Sequence, residues 1–359
     1  MSTHHWQRLH GVPVANGAIK TIPSDFIVEE ILGFNPSENG EHVALDIEKT
    51  NANTVFVAEQ LAKFASISVR DVGYAGRKDK IATTRQWFTV NDRGADKLDW
   101  QAFNIEGVII RKVTRHHRKI KIGSHRGNRF IVTVRDLICR DRRALIDRFK
   151  AITEQGFINY FGQQRFGEMK KHGAVTYNGN LSLAQRLLEG EQIRNRNKRN
   201  IVISALRSWL FNEVASRRIA DYGHTTMLNG DALILSGSNS FFVCDEKDAK
   251  DLNGRLLKKD IQLSAPLWGS GQPHSMYRAR EFETSIANEY GNITKILESL
   301  QLKQQRRPII AFPCNVDYQL EDDQLSISFE LEKGCFATSL LREFMRLKHE
   351  EYYENLVEQ

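Results

Sequence analysis

One aspartate in the sequence has the surroundings that acid–base or nucleophilic chemistry needs. Asp79 is flanked by Arg77, Lys78 and Lys80 and precedes an alternating run at 86–90. A free aspartate carboxyl has a pKa of about 3.9, and neighbouring cations favour the charged form further. The pattern therefore indicates a nucleophile or a base rather than an acid. Turn chemistry alone predicts a non-catalytic alternative, a solvated charged turn ahead of a strand.

Two basic clusters indicate what such a carboxylate could act on. The segment 111–129 contains no acidic residue, and a second cluster occupies 194–199. Dense cations suit a phosphate backbone, because each neutralised phosphate releases counterions. The alternative for the first cluster is a solvated face of a β-hairpin. The cations of the two clusters that we assign to RNA are Arg115, Arg118, Lys119, Arg126, Arg196, Lys198 and Arg199.

Aromatic side chains accompany these cations along the chain. Unstacked bases gain about 1–3 kcal/mol each by stacking on aromatic rings, so the combination is typical of an RNA site. For each aromatic taken alone, core packing is the competing interpretation. Asn128 could bind the edge of a base through its amide, or it could simply be a turn residue after Gly127. The aromatics concerned are Phe26, Phe130, Tyr160, Phe161, Phe166 and Phe336.

Composition sets limits on the class of protein. The 359 residues are 41% hydrophobic, enough for ordinary cores and for two or three domains. Lys and Arg number 51 against 44 acidic residues, giving +7, which favours an anionic partner such as nucleic acid. The four cysteines lack metal-ligand spacing and predict reduced thiols in a cytoplasmic protein. No apolar stretch suits a signal peptide or a membrane span.

Hydrophobic periodicity predicts the elements that position Asp79. Alternation predicts strands at 26–33, 42–48 and 86–90, with a helix between the last two that is capped by Asn53 or Thr54. Asp79 then falls in the loop between this helix and the strand at 86–90, where functional side chains are commonly displayed.

The rest of the chain changes character twice. Strand patterns at 106–113 and 129–135 precede a helix at 141–154, and the aromatic and glycine-rich stretch 158–167 predicts a loop or domain entrance. Strand-rich, helix-rich and again strand-rich segments predict one α+β domain interrupted by an insertion. The later predictions are helices at 182–189, 200–220, 278–302 and from about 336, and strands at 231–236, 240–244, 309–313 and 324–331.

Several other chemistries lack their motifs. The sequence contains no Walker A loop, no Gly-x-Gly-x-x-Gly after a strand, no His-Glu-x-x-His and no EF-hand loop. Phosphoryl transfer and dinucleotide chemistry are therefore disfavoured. The acidic stretch 321–323 has the ligand type that Mg²⁺ takes, but its position predicts an exposed turn between two strands.

Five blocks of the sequence match one known family, namely 76–80 with Thr84 and Gln86, 159–167, 196–199 with 204–205, 25–29, and 334–338. By these blocks the sequence resembles the TruD family of tRNA pseudouridine synthases over nearly its whole length. Such blocks in the right order are more specific than one loop motif.

The resemblance implies a fold, a reaction and a catalytic residue. The fold is a pseudouridine-synthase-type α+β catalytic domain with a mixed, largely antiparallel sheet, formed by 1–153 and 307–359. An inserted α+β TRUD domain occupies 154–306. The reaction is isomerisation of uridine to pseudouridine in tRNA, typically at uridine 13, with no metal or organic cofactor. Asp79 takes the place of the catalytic aspartate.

The resemblance also assigns substrate-binding residues. Phe26, Asn128 and Phe336 are expected to line the pocket of a flipped-out uridine. Phe130 stands where most pseudouridine synthases have a tyrosine, which puts in doubt any mechanism with a tyrosine base there. Lys20 is the candidate cation for orienting Asp79, ahead of Lys78 and Arg77. The RNA-binding set is completed by Arg77, Lys78, Lys80 and Arg165.

Some alternatives stay open at this point. A silent RNA-binding or RNA-chaperone protein would use the same basic cleft, and a metal-dependent nuclease is a third possibility. Asp79 could attack the sugar or the base, or act as a base through a glycal. The expected partner is tRNA, for a monomer that needs no protein partner and no membrane. For 238–262 the sequence predicts no site.

Overall fold

The computed structural model describes residues 1–3, 5–91, 98–171, 174–177 and 179–347. By their contacts these residues form two compact units. The helical unit comprises Met1–Pro13, Ile146–Phe312 and Cys335–Phe344. The sheet unit comprises Val14–Leu145, Pro313–Gly334 and the described residues from Met345 on. The predicted catalytic domain includes 1–13 and 335–344, which here group with the helical unit. The domain assignment stays a prediction.

The strands and helices alternate irregularly along the chain, as in an α+β protein. The strands are β1 (Ala15–Ala18), β2 (Phe26–Ile31), β3 (His42–Thr50), β4 (Val72–Tyr74), β5 (Thr83–Asn91), β6 (Val108–His116), β7 (Gly127–Cys139), β8 (Phe157–Ile158), β9 (Glu168–Lys171), β10 (Ala174–Tyr177), β11 (Ala232–Leu235), β12 (Phe241–Val243), β13 (Ile261–Leu267), β14 (Gln305–Pro308), β15 (Ile310–Ala311), β16 (Cys314–Leu320), β17 (Leu325–Glu332) and β18 (Met345–Leu347). The helices are α1 (Thr54–Phe64), α2 (Arg142–Gln155), α3 (Gln163–Phe166), α4 (Gly179–Leu188), α5 (Arg196–Tyr222), α6 (Ala249–Leu257), α7 (Tyr277–Glu289), α8 (Gly291–Ser299) and α9 (Ala337–Leu341).

A mixed sheet forms the centre of the sheet unit. Its strand order is β16-β17-β7-β2-β5-β3-β6, with β1 on β7, β18 on β1 and β4 on β5. The pairs β2–β5 and β1–β18 are parallel, and the other described pairs are antiparallel. The sheet is therefore mixed and largely antiparallel, as the sequence predicts.

Alternation explains which face of this sheet is buried. Along β7, Phe130, Val132 and Val134 are buried at 7%, 0% and 0% exposure, whereas Arg129 is exposed. Phe26 of β2 is paired with Val132 and therefore shares its face. The residue types that burial requires thus recur with the period of a strand.

Helix α1 covers part of the same face. The Asn53 side chain caps it by accepting a hydrogen bond from the backbone N–H of Val55 at 3.0 Å, which confirms one of the two predicted caps. Val57 and Leu61 are fully buried and pack in one cluster with Leu45 of β3. The helix thereby fixes the point from which the chain runs towards the Asp79 loop.

The helical unit is built around α5. This 27-residue helix is buried on several sides, which an amphipathic surface helix would not be. A four-stranded sheet of order β12-β11-β13-β14 packs into the same core. Within the described ranges, no helix is long and apolar enough to cross a bilayer.

Two helix predictions are wrong in extent. The predicted helix 278–302 is two helices, because Tyr290 leaves the helical region at φ −112° and ψ 41° between α7 and α8. The predicted helix from 336 ends at Leu341, and the chain re-enters the large sheet as β18. Any part of that prediction from 348 on lies outside the described residues.

Candidate active site

Asp79 lies in the loop between β4 and β5. The sequence predicted a loop between the helix and the strand at 86–90, and β4 within that segment was not predicted. Its carboxylate is 27% exposed, and its Oδ2 accepts a hydrogen bond from Lys20 Nζ at 2.9 Å. Lys20 itself is 22% exposed. The ion pair is thus shielded on one side and open on the other, as a carboxylate that must reach a substrate requires.

Lys20 is held in place by its backbone and by an aromatic ring. Its φ of +58° is unusual for a residue other than glycine. Its ammonium lies 4.2 Å from the centroid of the Phe26 ring, a cation–π distance. Of the three cations considered from the sequence, Lys20 is the one that the structure pairs with the Asp79 carboxylate.

A buried lysine anchors the backbone of the loop. Lys49 is 0% exposed and donates hydrogen bonds to the backbone carbonyls of Asp79 at 3.1 Å and Ala52 at 2.7 Å. Burial, with a smaller contribution from Lys78, lowers the pKa of Lys49 to about 8, and Asp79 opposes this shift. Lys49 was not predicted from the sequence, although it continues the inward-facing series of Leu45 and Ile47 with a charge.

The lowered pKa of Lys49 predicts how stability depends on pH. Between about pH 8 and pH 10.5 the unfolded chain keeps a proton that the folded chain releases, so folding becomes more favourable as the pH rises. Relative to Lys49→Met, the wild-type free energy of unfolding should rise by up to about 1.4 kcal/mol per pH unit in this window. Urea unfolding at about pH 7 and about pH 9.5 measures it. Parallel pH curves for the two proteins would contradict the shift.

A second buried ion pair fixes Asn128. Glu30 Oε2 lies 3.0 Å from Lys78 Nζ, with side chains 0% and 5% exposed. Lys78 Nζ also donates to Asn128 Oδ1 at 2.8 Å. Since an ammonium group can only donate, the amide oxygen must face Lys78, which leaves the amide NH₂ to donate elsewhere. Burial raises the pKa of Glu30, and Lys78 opposes this shift.

Glu30 was also not predicted as a site residue from the sequence, because the family-like block 25–29 ends one residue before it. It follows Phe26 and Val28 at two-residue spacing and is paired with Asn128 across β2 and β7. A carboxylate at an inward-facing position is the signal that could have identified it.

A chain of hydrogen bonds joins the loop to the surrounding elements. The backbone N–H of Lys78 donates to Thr54 Oγ1 at 3.0 Å, and Thr54 Oγ1 donates to Gln86 Oε1 at 2.9 Å. Gln86 Nε2 donates to the carbonyl of Gly76 at 3.0 Å. The start of α1, strand β5 and both ends of the segment 76–78 are thereby connected. A network of satisfied buried polar groups holds one geometry.

The aromatic candidates of the sheet unit pack against one another. The Phe26 and Phe130 rings meet edge to face at 6.0 Å, and Phe130 stacks on Phe329 at 5.5 Å. Phe26 and Phe130 are 2% and 7% exposed. They form an apolar wall, and their contact with a uridine stays a prediction.

Phe336 belongs to the helical unit. It precedes α9 and its ring lies 5.8 Å from that of Phe161. A Cβ on Gly162 would come within 3.2 Å of the Phe336 ring, so the glycine permits this close packing. The assignment of Phe336 to the uridine pocket stays a prediction.

The basic residues predicted to contact RNA differ in what they bind within the protein. Arg77 and Lys80 are exposed beside Asp79. Arg126 lies 3.5 Å from the carboxylate of Glu330 and is 68% exposed.

Three cations of the segment 111–129 that are predicted to bind RNA also differ in their contacts within the protein. Arg115 Nη1 donates to the carbonyl of Gly40 at 3.0 Å, and Lys119 Nζ donates to the carbonyl of Arg70. Arg118 is exposed. We therefore expect Arg118 to contribute more to RNA binding than Arg115 and Lys119, whose head groups have backbone acceptors.

In the helical unit the predicted cations lie at two places. Arg165 lies over the Phe161 ring at 5.4 Å and donates to Ser204 Oγ at 3.2 Å. The cluster at the start of α5 is exposed, and helix N-termini favour anions. Its members are Arg196, Lys198 and Arg199.

Metal-ligand geometry is not found among the described residues, where no group of three or more His, Cys, Asp or Glu side chains is positioned to hold an ion. The acidic stretch 321–323 lies between β16 and β17. The Asp322 carboxylate is fully exposed and 2.8 Å from Arg142. The stretch is the exposed turn between strands that its position predicts.

The fold is that of the pseudouridine synthases. A structure solved from Methanosarcina mazei under the name tRNA pseudouridine synthase D (TruD) matches 96% of this chain and 95% of its own, with a TM-score of 0.68 and 19% identity. This match confirms the predicted fold class.

The family profile described as tRNA pseudouridine synthase D (TruD) matches residues 8–200 and 193–344. The tRNA pseudouridine synthase D of Pseudoalteromonas atlantica is 44% identical over 97% of this chain and 98% of the relative. The tRNA pseudouridine synthase D of Shewanella oneidensis is 43% identical over 96% of this chain and 90% of the relative. The chain therefore belongs to the TruD family of tRNA pseudouridine synthases, which are isomerases.

Proposed function

We propose that this protein converts uridine 13 of tRNA to pseudouridine, with Asp79 as the essential carboxylate acting on a flipped-out uridine. The observation that carries the proposal is the Asp79 carboxylate itself, partly exposed and paired with Lys20 at 2.9 Å, in a chain that matches the TruD profile. Flipping the base out of its stack costs a few kcal/mol, which stacking and edge hydrogen bonds in a pocket offset.

The chemistry requires one bond to break and another to form at C1′ of the sugar. The N1–C1′ bond breaks, the uracil turns, a C5–C1′ bond forms, and the C5 proton leaves while N1 gains a proton, so the product is an isomer. Asp79 either attacks covalently or removes a sugar proton to give a glycal. Deuterium at C2′ separates these routes, since only glycal formation breaks the C2′–H bond.

The remaining residues of the site bind and orient the uridine. The free NH₂ of Asn128 is the group suited to donate to a uracil carbonyl, because its oxygen is occupied by Lys78. Phe26 and Phe130 provide an apolar wall, and Phe336 is a further residue that we assign to substrate binding. We place this activity in the cytoplasm, in a monomer that requires no protein partner.

The activity is tested with the purified chain and an unmodified tRNA transcript, in parallel reactions with Mg²⁺ and with EDTA. We expect one pseudouridine, at position 13, mapped by carbodiimide labelling and primer extension, in RNA of unchanged length. Shortened RNA that EDTA prevents would instead identify a metal-dependent nuclease. Tight binding without any pseudouridine would identify a silent RNA-binding or chaperone protein.

A further inference from the structure

A cavity of about 620 Å³ in the sheet unit lies outside the Asp79 site. It opens between the loop that follows β2 and the segment that joins β6 to β7. Its size exceeds what a water cluster or a single small ion needs. The residues that line it are Phe34, Asn35, His116, His117, Arg118, Lys119, Ile120, Lys121 and Ser124.

The frame of this cavity is fixed by hydrogen bonds between its two walls. The backbone N–H of Glu38 donates to the carbonyl of Arg115 at 3.1 Å, and that of His117 donates to Ser37 Oγ at 3.1 Å. Gly40 has a φ of +115°, and a Cβ there would lie 2.5 Å from the Cα of His117. The walls thus touch backbone to backbone, and a preformed cavity loses less entropy when a ligand binds.

One wall presents an aromatic ring. Phe34 is 37% exposed and stacks on His116 with centroids 5.2 Å apart and planes at 16°. His116 is 6% exposed, and its Nδ1 accepts from the backbone N–H of Ser37 at 3.2 Å, which places the ring proton on Nε2. Burial lowers the pKa of His116, as do His117 and Arg118. A neutral, hydrogen-bonded ring therefore backs Phe34.

The rest of the lining is cationic. Arg118 and Lys121 are exposed, and none of the described lining residues is an aspartate or glutamate. An aromatic face beside exposed positive charge is complementary to a base and its phosphates, as in single-strand binding sites.

The cavity also adjoins the proposed active site. The backbone N–H of Gly123 donates to the carbonyl of Ala75 at 2.7 Å, one residue before the segment 76–79. The ring of His125 comes within 3.3 Å of the Cβ position of Gly76. The segment that forms one wall of the cavity is therefore held directly beside the start of the Asp79 loop.

We propose that this cavity binds a second nucleotide of the RNA substrate, unstacked and separate from the target uridine. Its base stacks on Phe34, and its phosphates contact Arg118 and Lys121. This inference rests on the proposed RNA substrate and adds a specificity contact that the catalytic aspartate does not supply. The occupant is a nucleotide within an RNA chain rather than a free nucleotide, because the positive charge extends beyond one phosphate along 115–121.

The test compares Phe34→Ala with Phe34→Trp, using an unmodified tRNA transcript. Loss of one stacked base corresponds to about a tenfold rise in Kd, and Phe34→Trp should restore the wild-type Kd within about twofold. Phe56→Ala is the matched control, since Phe56 is 42% exposed on α1 of the same unit and should leave Kd unchanged. Arg118→Ala should reduce the slope of log K against log salt by about 0.7–0.9, whereas Lys63→Ala should not.

Two further readouts distinguish this inference from the proposed function. The protein concentration that gives half of the maximal single-turnover rate should rise for Phe34→Ala by about the same tenfold as Kd. Failure of wild-type chain to form pseudouridine, with Phe34→Ala still losing RNA affinity, would reject the proposed function alone. Unchanged Kd for Phe34→Ala would overturn the inference. A second outcome would also overturn it. This outcome is that uridine monophosphate quenches the indole fluorescence added by Phe34→Trp as effectively as tRNA does.

Discussion

Asp79→Asn is expected to lower the single-turnover rate of pseudouridine formation by about a thousandfold or more while tRNA binding stays within about threefold of wild type. The amide has the shape of the carboxylate but can neither attack a carbon nor remove a proton, and general base catalysis alone typically contributes about 10²–10⁴-fold in rate. Lys20 would lose its ionic partner at 2.9 Å, but the loop keeps its backbone bond to Lys49. Quench-flow with tritium release from the C5 position measures the rate.

Asp71→Asn is the matched control for this variant. Asp71 lies directly before β4, the strand that leads into the Asp79 loop, and is partly exposed like Asp79. It should keep the wild-type rate. A near-wild-type rate for Asp79→Asn would remove Asp79 from the mechanism, and equal losses for both variants would indicate a general effect of lost acidic charge.

The sequence was most informative where one residue type repeats with the period of its element. The alternation in β7 and the cap at Asn53 depend on neighbours a few residues away, so both were predictable. The position of Asp79 between α1 and β5 followed from them, although β4 within that segment was not predicted. Local pattern therefore predicted that Asp79 lies in a loop shortly before β5.

The interior of the site was less predictable because its contacts span distant parts of the chain. Lys49 falls one residue beyond the predicted strand 42–48, and Glu30 meets Lys78 only after β2 and β5 have paired. A buried charge breaks an apolar pattern, and a periodicity analysis treats the break as the end of a strand. The pairing partner that makes such a charge tolerable can be seen only in three dimensions.

Helix ends show the same limitation. The pattern across 278–302 is helical on both sides of Tyr290, so periodicity alone joins two helices. Short α9 ends because the chain must reach β1 to form β18. In both cases tertiary packing, not propensity, sets the boundary.

The buried pair of Glu30 and Lys78 predicts the largest effect on stability. Glu30→Leu and Lys78→Met should each lower the free energy of unfolding by about 3–5 kcal/mol, because each leaves one charge buried without its partner. The double variant should recover to within about 1–2 kcal/mol of wild type, since apolar side chains of similar volume commonly replace a buried ion pair at little cost. Urea unfolding measures all three, with Arg111→Met as the surface control.

The control and the activity of the double variant decide what the pair is for. Arg111 pairs with Glu48 on the same sheet but is 48% exposed, so its loss should change the free energy of unfolding far less than either buried single variant does. The double variant lacks the Lys78 ammonium that donates to Asn128 Oδ1. The side-chain amide of Asn128 is then free to rotate. We expect the single-turnover rate at saturating protein to fall by about tenfold or more. Although Lys78 was among the predicted RNA-binding residues, tRNA affinity should be unchanged, because its side chain is only 5% exposed and pairs with Glu30. A stable double variant with the wild-type rate would show that the pair serves folding alone and that the orientation of Asn128 does not limit the reaction.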